Sequence, residues 1–145
     1  ELIMPLFNAR LYLCRQKGFD GVDPDNLDAW TNDTGFKLTR EDTLRFAFAL
    51  ADAAHARGLA IGLKNSPDLV SDLADVFDFM VTEEAFEQGW SDLALPFLQA
   101  NKPVFAIEYS RDLMVRDIAC RAQNEQGFSV LFADVLLDGE ALPCP

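Results

Sequence analysis

Five short apolar runs punctuate the chain, at Phe19–Val22, Leu59–Leu63, Phe77–Val81, Val104–Ile107 and Phe128–Phe132. Each is four or five residues long, nearly all apolar and without alternation. That pattern suits strands covered on both faces, as in parallel sheets. The segments between them read as helices. Residues 2–17 carry Leu2, Ile3, Leu6, Leu11, Leu13 and Cys14, and Gly18 ends them. Thr39, with Asp42 three residues on, predicts a capping box for a helix running to Gly58. Ser66-Pro67, Ser91 or Asp92, and Ser110 are the expected starts of three more, the last ending at Gly127. Helix and strand alternating five times predict βα units, a parallel sheet and right-handed connections. Residues 1–145 read as one domain, or part of one. The longest loop, about 24–38, holds Trp30 and Phe36; a loop of this length in a βα protein is often functional.

In such folds ligands bind where the strands end, because the βα loops gather there. The five runs deliver Asp23-Pro24-Asp25-Asn26, Lys64-Asn65, Thr82-Glu83-Glu84, Glu108-Tyr109 and Asp134. Any one strand must leave the core through polar residues, so a single polar exit means little. Five together predict carboxylates crowded at one end of the sheet, where like charges raise one another's pKa and Lys64 compensates them in part. Paired carboxylates of unequal acidity suit glycoside hydrolysis, in which one protonates the leaving oxygen and the other attacks the sugar or activates water.

Composition narrows the alternatives. Half the residues are hydrophobic and twelve are Phe, a globular composition. No apolar run approaches the ~20 residues of a membrane helix. Twenty-four acids against twelve bases disfavour nucleic acid and favour a cationic ligand, although solubility alone also explains an acidic surface. A carboxylate cluster is able to hold a divalent metal, but no histidine stands at the strand ends, so no metal site and no cofactor are expected. The single histidine, His55, reads as a structural helix residue. No nucleotide-binding glycine motif or nucleophile elbow is present. The first residues lack the features of a signal peptide and read as the middle of a helix, which suggests that the natural protein begins earlier. The cysteines at 14, 120 and 144 show no C-x-x-C spacing. On residues alone, a Cys120–Cys144 bridge anchoring the tail and three buried thiols are equally acceptable.

The motifs themselves resemble a known family. Lys17-Gly18-Phe19-Asp20-Gly21-Val22-Asp23-Pro24-Asp25-Asn26-Leu27-Asp28, with Thr34-Gly35-Phe36 and Leu38-Thr39, is similar to the glycoside hydrolase family 114 pattern GxDGVEPDNxD…TGFxLT. Ala54 to Asn65 resembles AHxxGLxxGLKN. Phe77-Asp78-Phe79 with Glu83-Glu84-Ala85-Phe86 resembles FDxxxNEECF, and Lys102 to Tyr109 resembles GKPVFxxEY. Order and spacing agree over nearly the whole chain.

The resemblance implies an α/β fold of the (β/α)₈ barrel type, of which this chain carries about five C-terminal units. It also implies endo-acting α-1,4-polygalactosaminidase activity, with Asp25 and Glu83 as catalytic residues. Of these, Glu83 is expected to be the acid/base and Asp25 the nucleophile or water-activating base. Asp23, Glu84, Glu108 and Asp134 are expected to pair with a cationic amino sugar. Trp30, Phe36 and Tyr109 would stack on it, and Asn26, Lys64 and Asn65 complete the substrate-binding set. Asp23 stands where the pattern has Glu, Thr82 where it has Asn, and Ala85 where it has Cys, with Ser91 near the expected partner; one family disulfide is therefore expected to be lost. The resemblance favours a Cys120–Cys144 disulfide and with it a secreted or extracytoplasmic protein. A non-catalytic carbohydrate-binding remnant and a hydrolase of another amino-sugar polymer are the alternatives. Three βα units short of a barrel, the sheet is expected to show two bare edges and one uncovered face.

Overall fold

The structure is a computed structural model that describes residues 3–139 and 141–144; Leu2, expected in the first helix, lies outside them. The five apolar runs form parallel strands in chain order: β1 Gly21–Val22, β2 Ala60–Lys64, β3 Phe79–Glu83, β4 Val104–Glu108 and β5 Ser129–Phe132. The helices are α1 Met4–Gln16, α2 Arg40–His55, α3 Val70–Leu73, α4 Leu95–Gln99 and α5 Leu113–Gln126. Together they make a partial (β/α) barrel. Among the described residues no helix is long and apolar enough to cross a membrane.

Local chemistry sets most boundaries. The Thr39–Asp42 capping box starts α2: the Thr39 hydroxyl accepts from the Asp42 amide at 3.1 Å, and the Asp42 carboxylate accepts from the Thr39 amide at 3.1 Å. Two expected caps differ. Ser66 stands at the N-cap with Pro67 behind it, as expected, but it opens a 3₁₀ turn, Pro67–Leu69, that leads into α3, and its left-handed backbone turns the hydroxyl back to donate to the Lys64 carbonyl at 3.1 Å instead of accepting from a helical amide. Asp112, not Ser110, caps α5 by accepting from the Met114 amide at 2.8 Å. The helix expected from Ser91 opens as a 3₁₀ turn, Ser91–Ala94, before α4.

The core lies between one sheet face and the helices. Ile61, Leu63, Met80, Val104, Ala106, Val130 and Phe132 point into it, with Leu50, Ala51, Ala54, Leu73, Phe77 and Phe97 opposite. The alternate strand residues form the interior wall of the part-barrel. Phe105 is 43 % exposed there, and the Phe79 and Phe105 rings meet edge-on with centroids 6.1 Å apart.

One expected bare edge is covered. A short strand, β6 (Leu142–Pro143), pairs antiparallel with β5 through Leu131↔Pro143 and Phe132↔Leu142. A Cys120–Cys144 disulfide ties it to α5, and Cys14 is free. A two-residue strand carrying proline gives no periodic signal, which is why the sequence does not reveal it. At the opposite end of the sheet from the site, His55 Nε2 meets Asp78 Oδ2 at 2.8 Å, and that oxygen also accepts from the Ile61 amide at 2.8 Å. His55 is thus the structural residue expected.

Candidate active site

The site forms on the interior wall where β1 to β4 end. Lys64 and Glu83 are the last residues of β2 and β3. A floor lies beneath them because Gly62 has no side chain: a Cβ there would come within 2.3 Å of the Phe79 ring. Beyond the floor the chain turns sharply. Asn26, Asn65 and Glu84 all adopt left-handed backbone, with φ of 62°, 50° and 55°. This unusual conformation clusters around functional sites.

Glu83 is the hub. Its Oε2 accepts from Lys64 Nζ at 2.6 Å and from Asn65 Nδ2 at 3.3 Å, and its Oε1 accepts from the Tyr109 hydroxyl at 2.5 Å. The Asn65 side-chain oxygen also accepts from the Glu83 amide at 2.8 Å, so Asn65 grips the residue at both ends. Burial pushes the Glu83 carboxyl up, but the hydrogen bonds from Lys64 and Tyr109, the Lys64 charge and Asn65 together outweigh it and hold it below the usual range. The resting Glu83 is therefore a carboxylate. This runs against its expected role as proton donor unless the Lys64 contact is broken. Burial works against the Lys64 charge, yet the hydrogen bond and charge of Glu83, with Asp25 and Asp23, raise its pKa. Tyr109 is pushed up to about 12, first by burial and then by Glu83, so it remains a donor at every working pH.

Asp25 lies across from Glu83. Its Oδ1 is 3.6 Å from Lys64 Nζ and accepts from the Asn26 amide at 3.0 Å. The side chain is 63 % exposed, open to an incoming ligand. The outer side of Asp23 is open too, but protein crowds its carboxyl. That desolvation drives its pKa from 3.8 to about 6; Lys64 opposes the rise, and Asp25 and Glu83 add to it. Asp23, Asp25, Lys64, Asn65, Glu83 and Tyr109 thus lie together, and Asn26 joins them through its backbone amide on Asp25. Among the described residues no group of three or more metal-ligating side chains occurs.

Three other expected residues do not join them. Glu108 is fully buried, and its two oxygens accept from the Phe86 and Glu87 amides at 3.0 and 3.2 Å. It shares strand parity with Val104 and Ala106, so it faces the helices while Glu83, in register with Ile107, faces the interior. Glu108 is not a substrate contact; it anchors the loop after Glu83. In that loop the Trp90 and Ser91 amides both bond the Ala85 carbonyl, at 2.9 and 3.1 Å, so backbone bonds close it where a disulfide is expected to be lost. Glu84 turns away to accept from Gln88 Nε2 at 3.1 Å. Asp134 pairs with Arg111 Nη2 at 2.8 Å, in a separate hollow beyond Tyr109. Of the aromatic residues, Phe36 is 80 % exposed and free to stack, whereas Trp30 is half-buried with its indole N–H enclosed and without a hydrogen-bond partner.

Tyr109 contributes a hydroxyl where stacking is expected. Losing that donor weakens the forces holding Glu83 ionised. Tyr109→Phe is therefore expected to move the Glu83-dependent limb of the pH–rate profile to higher pH. A limb that stays in place means that the 2.5 Å contact does not set Glu83 acidity.

The sequence pattern described as glycoside-hydrolase family GH114 matches residues 2–145. No curated protein sequence matches the chain significantly. Among solved structures, Aspergillus fumigatus Ega3 in complex with galactosamine is 35 % identical with a TM-score of 0.88, covering 97 % of this chain and 60 % of its own. The glycoside hydrolase domain of PelA from Pseudomonas aeruginosa shares the fold, at 18 % identity and a TM-score of 0.61, over 94 % of this chain and 61 % of that one. The chain therefore spans about 60 % of the length of the structures it matches.

Proposed function

The chain belongs to glycoside-hydrolase family GH114, and from that we propose that it supplies the catalytic carboxylates of a hydrolase acting on α-1,4-linked galactosamine polymer. The observation that carries this reading is a single ammonium between two carboxylates: Lys64 Nζ sits 2.6 Å from Glu83 and 3.6 Å from Asp25. Such a bridge keeps the nearest oxygens of the pair within about 6 Å, on the short side of the ~6.5–9.5 Å that an inverting mechanism requires, and so favours retention.

In this mechanism the sugar enters between the pair and displaces Lys64. Burial is already the largest single influence on Glu83; once the Lys64 hydrogen bond and charge are gone, only Tyr109 and Asn65 oppose it, and the pKa rises. Glu83 then holds a proton to give to the leaving oxygen, while Asp25 attacks the anomeric carbon. Water later resolves the intermediate with Glu83 acting as base. The acidic rim of Asp23 and Asp25 suits an ammonium-bearing sugar, and Phe36 offers an exposed ring. Galactosamine is the ligand in the Ega3 structure. No cofactor enters this chemistry. A Cys120–Cys144 disulfide supports an oxidising, extracytoplasmic setting.

The test is release of new reducing ends by the intact natural polypeptide that carries this chain, from galactosamine polymer and from the same polymer fully N-acetylated. The expected result is cleavage of the cationic polymer, faster at low salt than at high salt. Equal rates on both polymers would remove the charge argument. Binding without any new ends would favour the carbohydrate-binding remnant.

A further inference from the structure

A second hollow, of about 270 Å³, opens beside the first where β4 and β5 end. Tyr109, Ser110, Arg111, Arg116, Phe132 and Asp134 line it. We propose that this hollow is a sugar subsite for an uncharged unit of the polymer, recognised through a carbonyl or hydroxyl acceptor by the guanidinium of Arg116. The inference rests on the hydrolase reading and adds to it where along a mixed polymer the cut falls.

Three observations carry it. First, the Arg116 guanidinium lies 4.3 Å from the Phe132 ring centroid. Stacking fixes the plane of the guanidinium and leaves its N–H edges to donate sideways. Second, charge changes sign between the two hollows. Around Asp25 and Glu83 acids outnumber the one lysine, whereas in the second hollow Arg111 and Asp134 neutralise each other at 2.8 Å. Arg116 is then the remaining charge, and among the described residues no acid pairs with it. An ammonium-bearing sugar is favoured in the first hollow and repelled in the second; an amide-bearing sugar offers Arg116 a strong acceptor. Third, the two hollows share a wall. The Tyr109 hydroxyl bonds Glu83 at 2.5 Å, and the same residue lines the second hollow.

The size fits one sugar unit, being below the ~300–1,000 Å³ of sites for larger ligands. The wall is also braced. Leu142 of β6 closes one side, and the disulfide at Cys120, one helical turn beyond Arg116, ties that strand to the helix carrying the arginine.

The test digests partially N-acetylated galactosamine polymer with the intact natural polypeptide and sequences the product ends by mass spectrometry. Acetylated units are expected to be enriched roughly tenfold over the polymer average at one of the two new ends, the discrimination that a hydrogen bond to a charged group supplies. Arg116→Met should bring that end back to the polymer average. Arg116→Glu should enrich free-amine units there instead, a gain that misfolding does not produce. Random ends from the unaltered protein, or enrichment that survives both substitutions, would overturn the subsite while leaving the hydrolase reading intact. Failure to cleave any polymer would overturn both.

Discussion

Glu83→Gln and Asp25→Asn are each expected to lower the rate of polymer cleavage by at least ~10²-fold in the intact natural polypeptide, the scale of losing an acid–base group. Both substitutions keep size and shape. Glutamine at 83 still offers an oxygen to Lys64, Asn65 or Tyr109, so thermal unfolding should change little. What is lost is a group able to hold and release a proton between the Lys64-bound and substrate-bound states. Asparagine at 25 likewise keeps a polar tip 63 % open to the cleft but has no charge to attack with. Near-normal activity in either variant would show that residue to be structural. Asp23, with its pKa near 6, would then be the stronger acid candidate.

Glu108→Ala is expected to cost about 3 kcal/mol of folding stability, because the Phe86 and Glu87 amides both lose the acceptor they share and a fully buried side chain is deleted. Denaturant unfolding measures it, and exposed Glu87→Ala is the control, expected near zero. A change of less than ~0.5 kcal/mol at Glu108 would mean that the loop after Glu83 is held by other contacts. The pH dependence has a definite sign. Burial raises the Glu108 pKa above its unfolded value, with the Phe86 and Glu87 amides opposing. The contribution of that shift to stability is therefore fully present at acid pH and fades as pH rises through the folded value. The gap between the unaltered protein and Glu108→Ala should widen toward acid.

The sheet was legible in the sequence because continuous apolar runs between helical segments admit few other arrangements. The residues at strand ends were legible for the same reason: wherever the strand stops, its polar exit faces the βα loops. Which side of the strand each residue faces was not legible. A parallel strand buried on both faces has no alternation to read, so Glu108 looked equivalent to Glu83 although it points to the opposite side of the sheet. The same ambiguity hid the role of Tyr109, which shares parity with Ile107 and so reaches Glu83. Ser66 before proline was legible as the start of a helical turn; its left-handed backbone, which sends the hydroxyl back to Lys64 and away from the turn, was not. Arg116 gave no signal, since an arginine on an amphipathic helix is ordinarily a solvated charge.

The double variant Asp25→Asn/Glu83→Gln tests the central claim most directly. If the two carboxylates act as one catalytic unit, reducing-end release by the double variant should fall only about as far as in the worse single variant, as groups that act together are strongly non-additive. A rate that falls by the product of the two single losses would mean two independent contributions, and would contradict the pairing of Asp25 with Glu83 across Lys64.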